Sequence, residues 1–271
     1  VIIYSAAISA CEKGDQWEQA LTRLREMQEH HLEPDVIIYN AAISACKQAG
    51  HWERALGVFG QMQEQRLERD VISYNAAISA CESCEQWERA LVLLMEMREQ
   101  RSEPDVISFN AVVSACASGK QWHWALDVIS HMREERVHAD VIIYSAAISA
   151  CSKSEQWEWA LSILAELKEQ ALEPDTIMYS AAISACENCE QWERSLSLLA
   201  EMQEQRLELD VIIYCAMISA CEKGEQWQRA LALLEEMQER RLEADVNTYN
   251  AAIRSCDKGE EWERALVMLS E

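Results

Sequence analysis

The sequence predicts an all-α protein, an α-solenoid of tandem helix-turn-helix repeats. Three observations lead there. The chain repeats itself every 35 residues, its apolar residues fall at helical spacing, and its few helix breakers fall at fixed repeat positions.

The period comes first, because it sets the register for everything else. Segments of the type Tyr-x-x-x-Ile-Ser-Ala-Cys begin at Tyr4, Tyr39, Tyr74, Phe109, Tyr144, Tyr179, Tyr214 and Tyr249, without insertion or deletion. We expect residues 1–271 to form a single array. Seven full repeats start at 1, 36, 71, 106, 141, 176 and 211, and a partial eighth starts at 246. A repeat of this length is a supersecondary unit that buries its apolar face only by stacking on neighbours. The chain lacks an initiator Met and its last repeat is cut, so we expect a fragment of a longer array, with any targeting peptide outside it. Hydrophobic residues make up 49% of the chain, ample for a core. No apolar run has the length needed to cross a bilayer.

The first repeat shows how each element arises. Tyr4, Ala7, Ile8 and Cys11 share one helical face, and Ala6, Ala7 and Ala10 let a second helix approach closely. Gly14 is expected to end this helix, as are Gly119, Gly224 and Gly259 at the same place. A second helix is expected to start near Trp17 and run through Ala20, Leu21, Leu24 and Met27. Glu18 in its first turn complements the helix dipole. Pro34, Pro104 and Pro174, the only prolines, share one position where the helix cannot continue.

The register also disposes of several candidate sites. Eight of the eleven cysteines occupy one repeat position: Cys11, Cys46, Cys81, Cys116, Cys151, Cys186, Cys221 and Cys256. Beside small apolar neighbours they read as small core residues. The pairs Cys81/Cys84 and Cys186/Cys189 lie one helical turn apart with no His cluster, a weak zinc signal. The tryptophan at repeat position 17 occurs in all eight repeats, among second-helix core residues, and reads as packing. Six histidines (His30, His31, His51, His123, His131 and His138) lack a recurrent carboxylate or cysteine partner, and Glu260/Glu261 reads as an exposed helix start. We therefore expect no enzyme, no cofactor and no metal.

At this point the residues resemble the pentatricopeptide repeat proteins. That family's pattern opens apolar-apolar-Thr-Tyr-Asn, has Ile near 8, Gly near 14, Ala-Leu near 20 and Met near 27, and closes on Pro-Asp. Val71-Ile-Ser-Tyr-Asn75, Ile78, Ala90-Leu91, Met97 and Pro104-Asp105 match it. The resemblance covers the whole chain, and the plain 35-residue class (P-type) fits. Tetratricopeptide repeats have a period of about 34, which seven ungapped repeats exclude. Departures such as Ala-Ala after position 5, Ile for Thr at position 3, and the tryptophan at 17 touch packing more than recognition. The resemblance implies a right-handed superhelix, organellar RNA processing, stability or translation, and a chloroplast location ahead of a mitochondrial one.

It further implies binding of single-stranded RNA at one base per repeat. The base-selecting fifth residues are then Ser5, Asn40, Asn75, Asn110, Ser145, Ser180, Cys215 and Asn250. The base-selecting last residues are Asp35, Asp70, Asp105, Asp140, Asp175, Asp210 and Asp245. Ile2, Ile37, Ile72, Ile107, Ile142, Ile177 and Ile212 would sandwich the bases, with Asn247 in the eighth repeat. The side-chain chemistry agrees. An ionised Asp only accepts hydrogen bonds, so it favours uracil and guanine, whose pairing edges carry an imino N–H. Ser leaves room for a purine, and Asn suits a pyrimidine. The expected target is 5′-GUUUGG(G/U)-3′, with Cys215 outside the usual code. Asp at a repeat boundary is also a good helix N-cap, which alone explains its uniformity. The restriction of position 5 almost wholly to Ser and Asn inside an Ala-rich helix is what favours reading.

The formal net charge of −23 opposes nucleic-acid binding at first sight. Much of the acid, such as Glu18, Glu26 and Glu29, belongs to the second helix, expected on the outer face. Lys13, Lys153, Lys223 and Lys258 on the first helix are phosphate-contact candidates, with Arg254 nearby. Gln48, Ser83, Ser118 and Asn188 stand there in other repeats. We expect weak non-specific binding. The alternative occupant of the concave surface is a protein partner, with the chain as an interaction scaffold; no membrane is involved.

Overall fold

The computed structural model describes residues 2–259, and among these it contains fifteen α-helices and no strand. Trp262 and Glu260/Glu261 lie outside the described residues. The chain divides into two compact units, Val1–Ala146 and from Ala147 onward. The first unit holds α1 (Ile2–Lys13), α2 (Trp17–Glu29), α3 (Val36–Gln48), α4 (Trp52–Glu64), α5 (Val71–Glu82), α6 (Trp87–Glu99), α7 (Val106–Ser118) and α8 (Trp122–Glu134). Helix α9 (Val141–Lys153) carries the boundary. The second unit continues with α10 (Trp157–Glu169), α11 (Thr176–Asn188), α12 (Trp192–Glu204), α13 (Val211–Lys223), α14 (Trp227–Glu239) and α15 (Val246–Lys258).

Within each unit the odd-numbered helices pack on one another in sequence, as α1, α3, α5 and α7 do, and as α11, α13 and α15 do. Each even-numbered helix rests on the helix before it and the helix after it, as α4 does on α3 and α5. The first helix of a repeat is therefore covered on three sides and the second on fewer. Burial reflects this. Tyr39, Tyr74, Phe109, Tyr179 and Tyr214 are fully buried at repeat position 4, with Ile43, Ile78, Ile183 and Ile218 one turn further on. The second helices contribute a narrower stripe, for example Ala20, Leu24 and Met27 or Ala230, Leu233, Leu234 and Met237.

The turns are built differently from the sequence expectation. Glycine at position 14 is the expected left-handed stop, but Gly119, Gly224 and Gly259 have φ of −77°, −85° and −84°. The positive φ falls one residue later, on Asp15, Gly50, Glu85, Lys120, Glu155, Glu190 and Glu225. The N–H of residue 16 closes back on the carbonyl of residue 11 (Gln16 to Cys11, 2.9 Å; Gln121 to Cys116, 2.8 Å), a Schellman closure whose left-handed residue is 15. The second helix ends in the same way, with positive φ at His31, Arg66 and their equivalents.

Glycine at 14 has another reason. A Cβ on Gly119 would lie 3.0 Å from Trp87 Cγ and closer still to Cδ1, and Gly224 and Gly259 meet Trp192 and Trp227 likewise. The position-17 indole of one repeat thus slots against position 14 of the next. This is the packing role expected of the tryptophans.

The position-11 thiols are buried from Cys46 to Cys256, and Cys11 in the first repeat is half-buried. Burial pushes Cys46, Cys186 and Cys221 up to about 11, and Cys81, Cys116 and Cys151 up to about 12. Cys84 and Cys189 are half-buried instead and donate to the carbonyls of Gly50 and Glu155. No group of three or more metal-ligating side chains occurs among the described residues, and no described helix is long and apolar enough to cross a membrane.

The packing can be tested at two glycines. Gly119→Ala forces a methyl onto Trp87 and should destabilise by about 1–3 kcal/mol. Gly57→Ala, in open space inside α4, should stabilise by about 0.5–1 kcal/mol. Thermal melts of the two variants should move in opposite directions. The buried thiols add a pH dependence. A thiol whose folded pKa is raised contributes stability below its unfolded pKa and loses it as pH rises through the folded value. Stability should therefore decline from about pH 9 toward pH 12. Urea titrations across that range read it directly.

Candidate nucleic-acid interface

The candidate surface is the face of the first helices that bears repeat positions 2, 5, 9, 12 and 13. Helical spacing brings these onto one side. Position 2 is apolar yet open to solvent, with Ile37, Ile72, Ile107, Ile142, Ile177 and Ile212 60–68% exposed. Their immediate successors Ile38, Ile143, Met178 and Ile213 are at most 1% exposed. A β-branched residue that contributes nothing to the core, repeated at one position, is an apolar ladder available to a flat partner.

The seven boundary aspartates all cap the helix that comes after them. Each Oδ1 accepts from the backbone N–H three residues on: Asp35 from Ile38 (3.0 Å), Asp70 from Ser73 (2.8 Å), Asp105 from Ser108 (2.9 Å) and Asp140 from Ile143 (3.0 Å). Asp175 accepts from Met178 (2.9 Å), Asp210 from Ile213 (2.9 Å) and Asp245 from Thr248 (2.8 Å). Capping is thus real at every boundary. It uses one carboxylate oxygen and fixes the other beside the first-helix face.

Position 5 comes to that carboxylate from the preceding first helix. Asn75 Nδ2 donates to Asp105 Oδ1 at 3.0 Å, and Asn110 Nδ2 donates to Asp140 Oδ2 at 3.2 Å. At these two repeats the residues drawn from the sequence meet in space, 30 residues apart in the chain. Burial pushes the Asp105 carboxyl up, but hydrogen bonds from the Ser108 backbone, Asn75, the Ser108 hydroxyl and Ile107 outweigh it, and the carboxyl lies below its ordinary value. Asp245 is lowered chiefly by the Thr248 hydroxyl. Cys215 takes a different route. Its thiol lies 2.6 Å from Thr248 Oγ1, which donates to Asp245 Oδ1 at 2.6 Å.

The sequence assigns position 3 of the next repeat to packing, and the structure gives it a polar role as well. Where it is Ser or Thr its hydroxyl touches the boundary Asp, and at Ser108 the position-5 side chain as well: Ser73 donates to Asp70 Oδ1 at 2.7 Å, with Asn40 Oδ1 left buried and unpartnered, and Ser108 Oγ lies 2.5 Å from Asn75 Oδ1. A polar residue three after an N-cap Asp is the signal for it, since that is where a capping box reaches back. The half-buried serine column Ser44, Ser79, Ser114, Ser149, Ser184 and Ser219 also lies on this face.

The phosphate-contact candidates are less available than their count implies. Lys223 Nζ sits 2.9 Å from Glu187 Oε1 and 2.9 Å from the Glu187 carbonyl. Lys258 Nζ lies 3.7 Å from Glu222 Oε1 and 3.0 Å from its carbonyl. Lys13 and Lys153 are exposed. Burial raises the carboxyl of Glu82, at the position equivalent to these glutamates, against the opposing pull of Lys47 and Ser114.

Two-helix repeats that carry a polar column beside an exposed apolar ladder define a helical-repeat protein. Models of that architecture match along the chain: a pentatricopeptide repeat domain at residues 23–83 and 128–188, a PPR repeat family at 69–118 and 209–258, and a PPR repeat at 2–32, 107–137 and 177–207. The chain belongs to the pentatricopeptide repeat family. No curated relative matches it. Among solved structures it is similar to the pentatricopeptide repeat protein PPR10 from maize, with a TM-score of 0.68 at 19% identity over 98% of this chain and 43% of that one. PPR10 in complex with an 18-nt psaJ RNA element gives 0.59 at 18% identity, covering 98% and 44%. The PPR domain of Arabidopsis thaliana protein-only RNase P 1 in complex with tRNA gives 0.57 at 13% identity, covering 69% and 95%. At these identities the likeness is one of fold, and the chain spans less than half the length of PPR10.

The cap itself is testable. Asp105→Ala should cost about 1 kcal/mol in denaturant stability, whereas Asp105→Asn, which still caps, should stay within a few tenths.

Proposed function

We propose that the chain binds single-stranded RNA at one base per repeat. The residue at position 5 and the Asp at position 35 read the base edge, and the position-2 isoleucines flank the base. The observation that carries this reading is the direct pairing of Asn75 with Asp105 and of Asn110 with Asp140 beside an exposed isoleucine ladder. Capping explains the Asp alone. It does not explain an Asn amide delivered to that Asp from another helix.

The chemistry runs through the free atoms. The ionised Asp accepts the imino N–H of uracil or guanine and repels the ring lone pair of cytosine or adenine. The second amide hydrogen of Asn75 or Asn110 remains for a pyrimidine carbonyl. Ser at 145 and 180 leaves room for a purine. Read along the chain, the target is 5′-GUUUGG(G/U)-3′. The same family reading makes the protein a non-catalytic adaptor in organellar RNA processing, stability or translation, with the chloroplast ahead of the mitochondrion. Phosphate contacts contribute little, because Lys223 and Lys258 already have carboxylate partners.

The net charge of −23 favours a second reading, a scaffold that holds a protein on the same face. One titration separates them. The chain should bind 5′-GUUUGG-3′ well ahead of an A/C-rich hexamer, with a shallow salt dependence of about −0.7 in log–log slope per phosphate contact. Asp105→Asn should keep the fold and lose preference for U at the third base. Equal affinity for every hexamer would sink the base-reading role and leave the scaffold.

A further inference from the structure

The three Asn–Asp repeats differ in the third residue of the repeat after them. Repeat 2 (Asn40, Asp70) is succeeded by Ser73, repeat 3 (Asn75, Asp105) by Ser108, and repeat 4 (Asn110, Asp140) by Ile143. The arrangement of the pair changes with that residue. In repeat 3 the Ser108 hydroxyl lies 2.5 Å from Asn75 Oδ1, 2.9 Å from Asp105 Oδ1 and 3.2 Å from the Asp105 N–H that it accepts. Asn75 then places its Nδ2 on the same oxygen, Asp105 Oδ1. The cap N–H and the amide converge on Oδ1, the hydroxyl proton goes to Asn75 Oδ1, and Oδ2 is left for a base. In repeat 4 the side chain at this position has no hydroxyl. Asn110 Nδ2 instead occupies Asp140 Oδ2, and Asn110 Oδ1 is buried without a hydrogen-bond partner. Where Thr248 comes after repeat 7, it again gathers the position-5 side chain, the Cys215 thiol, toward Asp245 Oδ1.

We propose that the hydroxyl at the third position of the next repeat is a positioning residue for the base-reading pair. Ser108 draws Asn75 to Oδ1 of Asp105, fixes the amide with its carbonyl toward the serine, and frees Oδ2 for the imino N–H of uracil. Ser73 commits its hydroxyl to Asp70 Oδ1 and does not reach Asn40, whose Oδ1 is buried without a hydrogen-bond partner, as that of Asn110 is. Ile143 has no hydroxyl to commit. Base selectivity is therefore graded along the array by a residue outside the reading pair. In repeat 4, uracil must share Oδ2 with the Asn110 amide, and in repeat 2 the amide is not held by the serine, so the third base is read more sharply than the second or fourth. The inference rests on the base-reading function proposed above.

The test uses four RNAs: 5′-GUUUGG-3′, and the same hexamer with C at the second, third or fourth base. The expected U-over-C affinity ratio is larger at the third base than at the second or fourth. Ser108→Val removes the hydroxyl and keeps a branched shape that Ile143, Ile38 and Ile213 show the position accepts. It should lower the third-base ratio about threefold to tenfold, the worth of one hydrogen bond, and leave the fourth-base ratio unchanged. Ser108→Thr should retain the wild-type ratio, and Ile143→Thr should raise the fourth. A merely structural role would weaken all four RNAs alike and leave the ratios fixed. A third-base ratio that survives Ser108→Val, in a protein that otherwise selects U, overturns this inference alone. A wild-type protein with no U-over-C preference at any base overturns the base-reading function and this inference with it.

Discussion

A two-helix repeat must close its second helix and open the next within six residues, and here a single carboxylate governs the opening. The first N–H groups of a helix have no partner within it, and in seven boundaries the Asp at position 35 accepts one of them. That bond does more than begin the helix. It holds the Asp in extended backbone geometry, with φ between −82° and −100° and ψ between 171° and 176° at Asp35, Asp70, Asp105, Asp175, Asp210 and Asp245. In the proposed RNA-bound state the same carboxylate would serve both the cap and the base, and Asp is suited to both because it is short and, when ionised, an acceptor only.

The charge distribution obeys the same division of labour. Acid accumulates on the second helices and their ends, where cations of adjacent repeats meet some of it: Arg69 pairs with Glu96 at 2.6 Å, Arg98 with Glu135 at 2.7 Å, and Lys168 with Glu201. Exposed pairs of this kind add little stability each. Arg69 is different. Its side chain is 8% exposed and its guanidinium lies 4.8 Å from the Phe59 ring centroid, so it fills the place that proline takes at Pro34, Pro104 and Pro174. On the first-helix face the lysines at 223 and 258 lean on glutamates of the preceding repeat. Such a surface attracts a polyanion weakly, and it shifts the burden of selectivity to the fixed acceptors and the apolar ladder.

Much of this is legible in the sequence because an ungapped period turns one repeat into eight observations. The helix starts at Trp17 and its equivalents, the burial of Tyr39 and Cys46, and the two columns at positions 5 and 35 all come from register plus helical spacing. What register does not reveal is which neighbour a side chain meets. The glycine at 14 looks like a helix stop, since glycine is the usual left-handed residue. The backbone places that turn at 15, on Glu, Asp or Lys, and uses glycine to admit an indole from the preceding repeat. The contacts made by the hydroxyls at Ser73, Ser108 and Thr248 are likewise invisible in the register. They act across a repeat boundary, 33 residues from the partner in the cases of Asn75 and Cys215.

The indole at position 17 connects packing to the proposed reading. A column of base-selecting pairs would be useful only if its members kept a constant offset. At three boundaries a Trp–Gly contact between consecutive repeats constrains it. Trp87 against Gly119, Trp192 against Gly224 and Trp227 against Gly259 are close enough that one added methyl collides with the ring. Where position 14 is Cys a hydrogen bond joins the repeats instead, the thiol of Cys84 or Cys189 donating to the carbonyl one repeat back at 3.2 or 3.1 Å. The differences that remain between repeats, Ser, Asn or Cys at position 5 and a hydroxyl or a methyl group at position 3, are the ones that would vary the proposed reading, and they lie on the first helices, away from these contacts.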